Sequence, residues 1–341
     1  MSTRLETPRT SAMVAKPRLG FLGVGWIGRN RLEAIARSGL VEITAIADPA
    51  LGRTIDLSDI VPDAARLESL DELLDIDLDG VVIATPSALH AEQSIQALER
   101  GLAVFCQKPL GRTADEARRV VAAARAADRL LGVDLSYRFV KGVQAIRERV
   151  RAGELGRIYA IDLVFHNAYG PDKPWFYDPT LSGGGCVLDL GTHLVDLAFW
   201  VLDWPRVREV SSRLFVRGEP LRRLGDRSED YAIARLDLDD GTVVRLACSW
   251  NLPAGCDCVI EASFYGVNGG ASLRNVRGSF YDFVAERFHG TARETLAEPP
   301  DEWGGRAAVD WARRLAAGHG FDPEVERAVD VAAALDAIYG R

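Results

Sequence analysis

Two different periods govern the apolar positions of the first 138 residues. Short apolar runs at "RLGFLG" (18–23), "EITAIAD" (42–48), "GVVIAT" (80–85), "LAVFC" (102–106) and "LLGVDLS" (130–136) are too brief for helices and predict strands. Between them, "WIGRNRLEAIARSG" (26–39), "SLDELL" (69–74), "SALHAEQSIQALERG" (87–101) and "TADEARRVVAAARAAD" (113–128) carry helical spacing, with glycine stops at 39 and 101. Thr113 followed by Glu116 reads as a capping box. Strands alternating with helices over short connections predict a parallel sheet covered on both faces.

The pattern changes after residue 138. One helical segment, 140–152, ends at Gly153. Long alternating segments follow at 157–166, 207–217, 229–238, 242–250, 258–266 and 271–276, with hairpin chemistry at "DDG" and "VNGG". They predict one large antiparallel or mixed sheet, closed by helices at 305–317 and 323–339. A chain of 341 residues is long for one core. The expected division is an α/β domain over 18–138 and a second α/β domain over 139–341. Residues 1–17 are polar and predict a disordered leader, within which Met13 could be the start.

Charge and cysteine usage narrow the class. A net charge of −8 argues against nucleic acid and against anionic membrane surfaces as partners. No apolar run reaches the roughly 20 residues of a membrane span. The leader lacks the apolar core of a secretion signal, so the expected compartment is cytoplasmic. Five cysteines, an odd count, argue against a disulfide framework. Cys256 and Cys258 have no second pair at zinc spacing, so no metal is expected and the thiols read as buried and inert.

Three stretches carry candidate chemistry. "GVGWIG" (Gly23, Gly25, Trp26, Ile27, Gly28) follows a predicted strand and opens a predicted helix, the context of a dinucleotide fingerprint. Gly23 makes the turn, Gly25 admits a pyrophosphate, and Gly28 lets the helix approach the strand. Asp48 ends the second strand, where a carboxylate accepts from ribose hydroxyls and repels a 2′-phosphate. NAD is therefore expected over NADP, with Arg53 nearby leaving NADP possible. "ATPSALH" places Thr85 and Pro86 at a strand's carboxyl end, on the nicotinamide side, and His90 reads equally as a cofactor contact or a packing histidine. In "GGGCVLDLGTHLVD" (183–196), one α-helix over 187–201 would put Asp189, His193 and Asp196 on one stripe. Leu190, Leu194, Leu197 and Val201 would form another, roughly 100° away. Gly183, Gly184 and Gly185 would leave room for cofactor or substrate.

Together with "FCQKPLGRTADEA" (105–117), these motifs resemble, in order, those of the Gfo/Idh/MocA oxidoreductases, the family of glucose–fructose oxidoreductase and inositol dehydrogenase. The resemblance implies an N-terminal Rossmann domain, and a C-terminal domain whose open sheet binds substrate and forms a homodimer or homotetramer. It implies NAD or NADP, and a sugar, cyclitol or polyol derivative as substrate. Lys108 matches the family's active-site lysine, and Asp189 and His193 match its aspartate and histidine. Gln107 stands where the family has glutamate; the amide keeps the shape and loses the charge. Some relatives cleave glycosidic bonds by transient oxidation with permanently held NAD, and the fold also serves non-catalytic dinucleotide sensors. The presence of both Lys108 and His193 argues against a sensor, while tight cofactor retention and glycoside cleavage without net NADH would mark the glycosidase.

Oxidising an alcohol requires an acceptor for its proton, and either His193 or Lys108 can supply it. Lys108 can also stabilise alkoxide character, while Asp189 would orient the imidazole or bind a neighbouring hydroxyl. Asp196 reads as a supporting or surface charge. The segment "FHNAYGPDKPWFYDP" (165–179) offers His166, Tyr169 and Trp175 as substrate contacts, with Thr192 in the helix motif. Tyr137 and Arg138 sit at the domain junction, where the arginine reads as a substrate anchor or a salt bridge.

Overall fold

A computed structural model describes residues 15–51, 56–221 and 227–341. Most of the predicted leader, including Met13, and Arg53 lie outside these residues. The first sheet is built from β1 (Arg18–Leu22), β2 (Glu42–Ala47), β3 (Ala65–Leu67), β4 (Gly80–Ile83), β5 (Ala103–Cys106) and β6 (Leu131–Val133). Its order is β3-β2-β1-β4-β5-β6, with every pair parallel. Every residue of β4 and β5 is buried, as expected of strands covered on both faces. Helices α1 (Trp26–Ser38), α2 (Leu70–Leu74), α3 (Ser87–Glu99) and α4 (Ala114–Ala127) make the crossovers. Strand order reverses between β1 and β4, which opens a crevice at the carboxyl ends.

Two local expectations change. The strand foreseen over 130–136 pairs only as far as Val133; the Asp134 N–H still bonds Cys106, and the chain then enters a 3-10 turn at Ser136. The capping box at α4 is half formed. Thr113 Oγ1 accepts from the Glu116 N–H, but the Glu116 carboxylate takes the Arg112 N–H and guanidinium rather than the N–H of Thr113.

The second sheet contains β7 (Ile158–Asn167), β8 (Val207–Val216), β9 (Glu219–Pro220), β10 (Tyr231–Leu238), β11 (Val243–Ser249), β12 (Cys258–Gly266), β13 (Gly270–Asn275), β14 (Phe283–His289) and β15 (Ala292–Ala297). Its order is β15-β14-β13-β12-β7-β11-β10-β8-β9, and only β7 and β11 run parallel, so the sheet is mixed. Helices α5 (Lys141–Arg151), α7 (Thr192–Val201) and α9 (Arg327–Tyr339) pack on its inner face. A short α6 (Pro179–Ser182) and a π-helical turn over Val187–Gly191 lead into α7. The helical stretch 179–201 has the length and apolarity of a membrane span, yet it lies in the centre of the second core.

The last helices cross between the two cores. α8 (Arg306–Ala316) follows the second sheet in sequence but covers the first. Its Trp311 packs with Leu19, Phe21 and Phe105, the Phe105 ring centroid being 5.7 Å away. Gly132 makes room for it, since a Cβ there would lie 2.7 Å from the indole. α9 joins both cores, through Ala328 on one side and Val331, Leu335 and Ile338 on the other.

Candidate active site

A cleft of about 1870 Å³ runs along the carboxyl ends of the first sheet and under the second domain. That exceeds what one drug-sized ligand needs. At one end lie Gly23, Gly25 and Asp48; at the other lie Lys108, His193 and Trp303.

The glycine turn fits a dinucleotide on structural grounds. Gly23 adopts φ +85°, and a Cβ there would strike the Ala84 carbonyl at 2.7 Å. A Cβ on Gly28 would come within 2.2 Å of the Gly23 oxygen, so Gly28 serves helix–strand packing and is not itself a cofactor contact. Gly25 differs: a Cβ there would meet nothing within 4 Å, because its backbone faces the cleft. No side chain caps α1 and no acidic residue occupies its first turn, which leaves its N–H groups for an anion. Ile27 lines the cleft beside Trp26, which is 72% exposed at the helix entrance. Asp48 is fixed by the Val24 N–H (2.9 Å) and the Ala50 N–H (2.8 Å).

Thr85, Pro86 and Gln107 line the cleft where β4 and β5 end. His90 is buried beneath them, with its two ring nitrogens 2.7 Å from the carbonyl oxygens of Thr85 and Pro109. Burial lowers its pKa. A neutral ring has one N–H and donates to one of these two carbonyls, so His90 braces the loops; it borders the cleft but is 1% exposed, and the packing reading is preferred to the cofactor contact. Thr85 Oγ1 donates to Gln93 at 2.6 Å.

The π turn decides what the motif 183–196 does. A π turn replaces the start of the regular α-helix foreseen over 187–201, yet Asp189 and His193 both line the cleft, while Asp196 is turned to Arg138. Asp189 turns toward the first domain. Its Oδ1 and its carbonyl oxygen each accept from Lys108 Nζ at 2.7 Å, and its Oδ2 accepts from Trp250 Nε1 at 3.1 Å. It therefore does not orient the imidazole. His193 is 9% exposed, lines the cleft, and lies tilted against Tyr137 with centroids 4.8 Å apart. Among the described residues its Nδ1 is buried without a partner, which leaves Nε2 as the nitrogen toward a ligand. Burial first, then the cations Lys108 and Arg31, hold its pKa well below the ordinary histidine value. Asp196 is not a surface charge: it is buried and binds Arg138 through Nε (2.9 Å) and Nη2 (2.5 Å).

The glycines at 183–185 answer to internal packing. A Cβ on Gly185 would sit 1.9 Å from the Glu229 carbonyl, and one on Gly184 would sit 2.0 Å from the Tyr339 hydroxyl. Glu229 is buried and ties this turn together. Its carboxylate accepts from the Gly185 and Val187 N–H groups and from the Tyr339 hydroxyl. Burial raises its pKa.

Several substrate candidates fall elsewhere. Arg138 is committed to Asp196. His166 bonds Ser249 Oγ at 2.8 Å and stacks on Tyr231, away from the cleft wall. Tyr169 is exposed against Phe280 and does not line the cleft. Thr192 donates its hydroxyl back to the Leu188 carbonyl at 2.6 Å, satisfying an acceptor of the π turn. Tyr137 and Trp175 do line the cleft. The sequence reading missed Arg31, Asp134, Tyr281 and Trp303, which line it too. Asp134 was within reach: it ends β6 as Asp48 ends β2, and strand carboxyl ends are where such folds bind ligands.

A glycine turn at the switch point, with a lysine and a histidine facing it across one cleft, defines a dinucleotide-dependent oxidoreductase. The chain belongs to the Gfo/Idh/MocA family. Residues 17–135 match the oxidoreductase family's NAD-binding Rossmann fold, and residues 143–272 match the GFO/IDH/MocA C-terminal domain. It is 30% identical to the rhizopine catabolism protein MocA of Rhizobium meliloti, over 75% of this chain and 78% of that one. It is 29% identical to the D-glucoside 3-dehydrogenase of Escherichia coli (strain K12), over 77% and 79%. Its fold superposes with TM-score 0.82 on KijD10, a 3-ketoreductase from Actinomadura kijaniata solved with NADP and TDP-benzene, at 22% identity over 95% and 97% of the chains. The protein is thus an NAD(P)-dependent oxidoreductase of a family acting on sugar and polyol hydroxyls.

Proposed function

We propose that the enzyme interconverts a secondary hydroxyl and a ketone on a sugar, cyclitol or polyol derivative, with Lys108 and His193 at the reacting oxygen. The observation that carries this is the bridge from Lys108 to Asp189, which brings the ammonium of one domain to the imidazole-bearing motif of the other. The Gly25 turn and the α1 N-terminus would hold a pyrophosphate, Asp48 the adenosine ribose, and Thr85, Pro86 and Gln107 the nicotinamide side. When bound, a nicotinamide exchanges a hydride with carbon. The Asp48 carboxylate favours NAD over NADP by repelling a 2′-phosphate.

The division of labour follows from the contacts. Asp189 uses two acceptors on Lys108, and an ammonium has three N–H groups. The third is free to donate to the reacting oxygen and to stabilise alkoxide character. His193, kept neutral by burial and by two cations, is the proton acceptor in oxidation and returns the proton in reduction. Tyr137, Trp303 and Trp175 supply apolar walls for a sugar ring. A second copy of the chain would pair through the outer face of the second sheet, where Tyr159, Ile233 and Tyr265 are exposed.

Turnover of inositols, glucosides and polyols followed by nicotinamide absorbance, with NAD and NADP in parallel, tests this reading. Lys108→Ala and His193→Ala should each cost about 10²–10⁴-fold in kcat. Both variants retaining the wild-type rate would refute the assignment.

A further inference from the structure

Gln107 occupies the one motif position where this chain departs from its family, and the structure shows what accompanies the change. Asp134, at the carboxyl end of β6, is 1% exposed. Its Oδ2 accepts from Arg31 Nε at 2.6 Å and also from Gln107 Nε2. Arg31 is itself buried and reaches Asp134 from α1. Its guanidinium does not give up its proton, so Asp134 faces a permanent cation through Oδ2. Only the NH2 end of the Gln107 amide can then face Asp134, and Oε1 is turned the other way. Among the described residues Oε1 accepts no hydrogen bond, and Gln107 lines the cleft beside Lys108. The other Asp134 oxygen, Oδ1, is buried without a partner. A buried carboxylate left half satisfied is costly, and its retention calls for a role.

We propose that Asp134, backed by Arg31, is a positioning residue that locks the Gln107 amide so that Oε1 is presented to the cleft as an acceptor for a hydroxyl of the nicotinamide-side ribose. The inference rests on the cofactor placement proposed above. The negative charge that the family carries at position 107 is here set one layer back and neutralised by Arg31. The acceptor remains and the charge at the cleft wall is gone. One consequence runs against the family pattern. Gln107→Glu, which restores the usual residue, sets a second buried carboxylate against Asp134, and two adjacent carboxylates disfavour each other's ionised form. It should weaken cofactor binding, and moving the amide to the other side should repair it.

NADH binding to the full-length protein, followed by nicotinamide fluorescence at constant pH, tests this. Gln107→Glu should raise the Kd at least tenfold, and Asp134→Asn should raise it as well. Gln107→Glu combined with Asp134→Asn should return it to within about threefold of wild type, a rescue that simple damage to packing does not give. A Gln107→Glu Kd within twofold of wild type overturns the proposal. So does a double variant no better than the worse single one. Should the Asp134 variants fail to fold, Gln107→Glu alone decides. If wild type binds neither NADH nor NADPH, the functional reading itself falls. If wild type binds and the variants show no coupling, only this inference falls.

Discussion

Two buried histidines give the site an acid sensitivity whose sign is fixed. His90 and His193 both have pKa values lowered from 6.5, chiefly by burial. Below about pH 6.5 the unfolded chain therefore takes up protons that the folded chain refuses, and stability falls as pH falls. Each histidine contributes a slope of up to about 1.4 kcal/mol per pH unit. Asp196 and Glu229 have raised pKa values and act with the opposite sign, but from windows beginning near 3.8 and 4.5. Thermal unfolding should shift down between about pH 7 and 5, and His193→Gln should flatten the profile. A His193→Gln profile parallel to that of wild type over that range would contradict the buried, neutral state of His193. At this scale the sequence displayed residue types but not their partners. Lys108, Asp189 and His193 were legible because motif and chemistry agreed. That Asp189 serves Lys108, or that Arg138 is spent on Asp196, depends on chain segments 81 and 58 residues apart.

Elements were legible where their period was long and regular, and obscure where the backbone left the standard geometries. The βα alternation of the first sheet could be read directly. The edge strands β3 and β9 escaped because two or three residues carry no period. β14 escaped as well, and β15 escaped because "ARETLA" has the composition of a helix. The π turn left no mark in the hydrophobic pattern, yet it carries Asp189, whose partners are Lys108 and Trp250. The glycine fingerprint offers a cleaner test, since its two glycines do different things. Gly28→Ala drives a Cβ into the Gly23 carbonyl and should destabilise by about 1–3 kcal/mol, as overpacking does. Gly25→Ala meets no protein atom and should cost no more than about 1 kcal/mol of N-cap preference. Its penalty should fall on NADH instead, with affinity reduced about tenfold. Calorimetric melting and NADH titration of the two variants separate these effects. Equal binding by Gly25→Ala and wild type would mean that the turn does not carry the pyrophosphate.

The whole molecule is held together by its carboxyl-terminal helices more than a boundary near residue 138 suggests. α8 returns to the first sheet and α9 joins both cores, so the cleft walls are fixed relative to each other by the same segment. Among the described residues the helices that pack on the second sheet belong to its buried core side. Its outer face can be read from the register. Ile233 stands opposite Ala247, Ala247 opposite Val164, and Val164 opposite Glu261, so these four side chains form one row across the strands. Two rows along, past the row of Asp162 and Arg245, Tyr265 stands beside Ala160 and Val243. Apolar side chains thus share this face with the surface pair Arg245–Asp162, a mixture suited to a symmetric contact between copies. Light scattering after size exclusion should give a dimer or a larger closed assembly at micromolar concentration. Ile233→Asp with Tyr265→Glu should reduce the mass to that of a monomer. Both positions point away from the core, so the melting temperature of the separated monomer should still show one cooperative transition. A monomeric wild type, or an assembly indifferent to both charges, would remove this face as the interface and leave the single chain as the unit that carries the cleft.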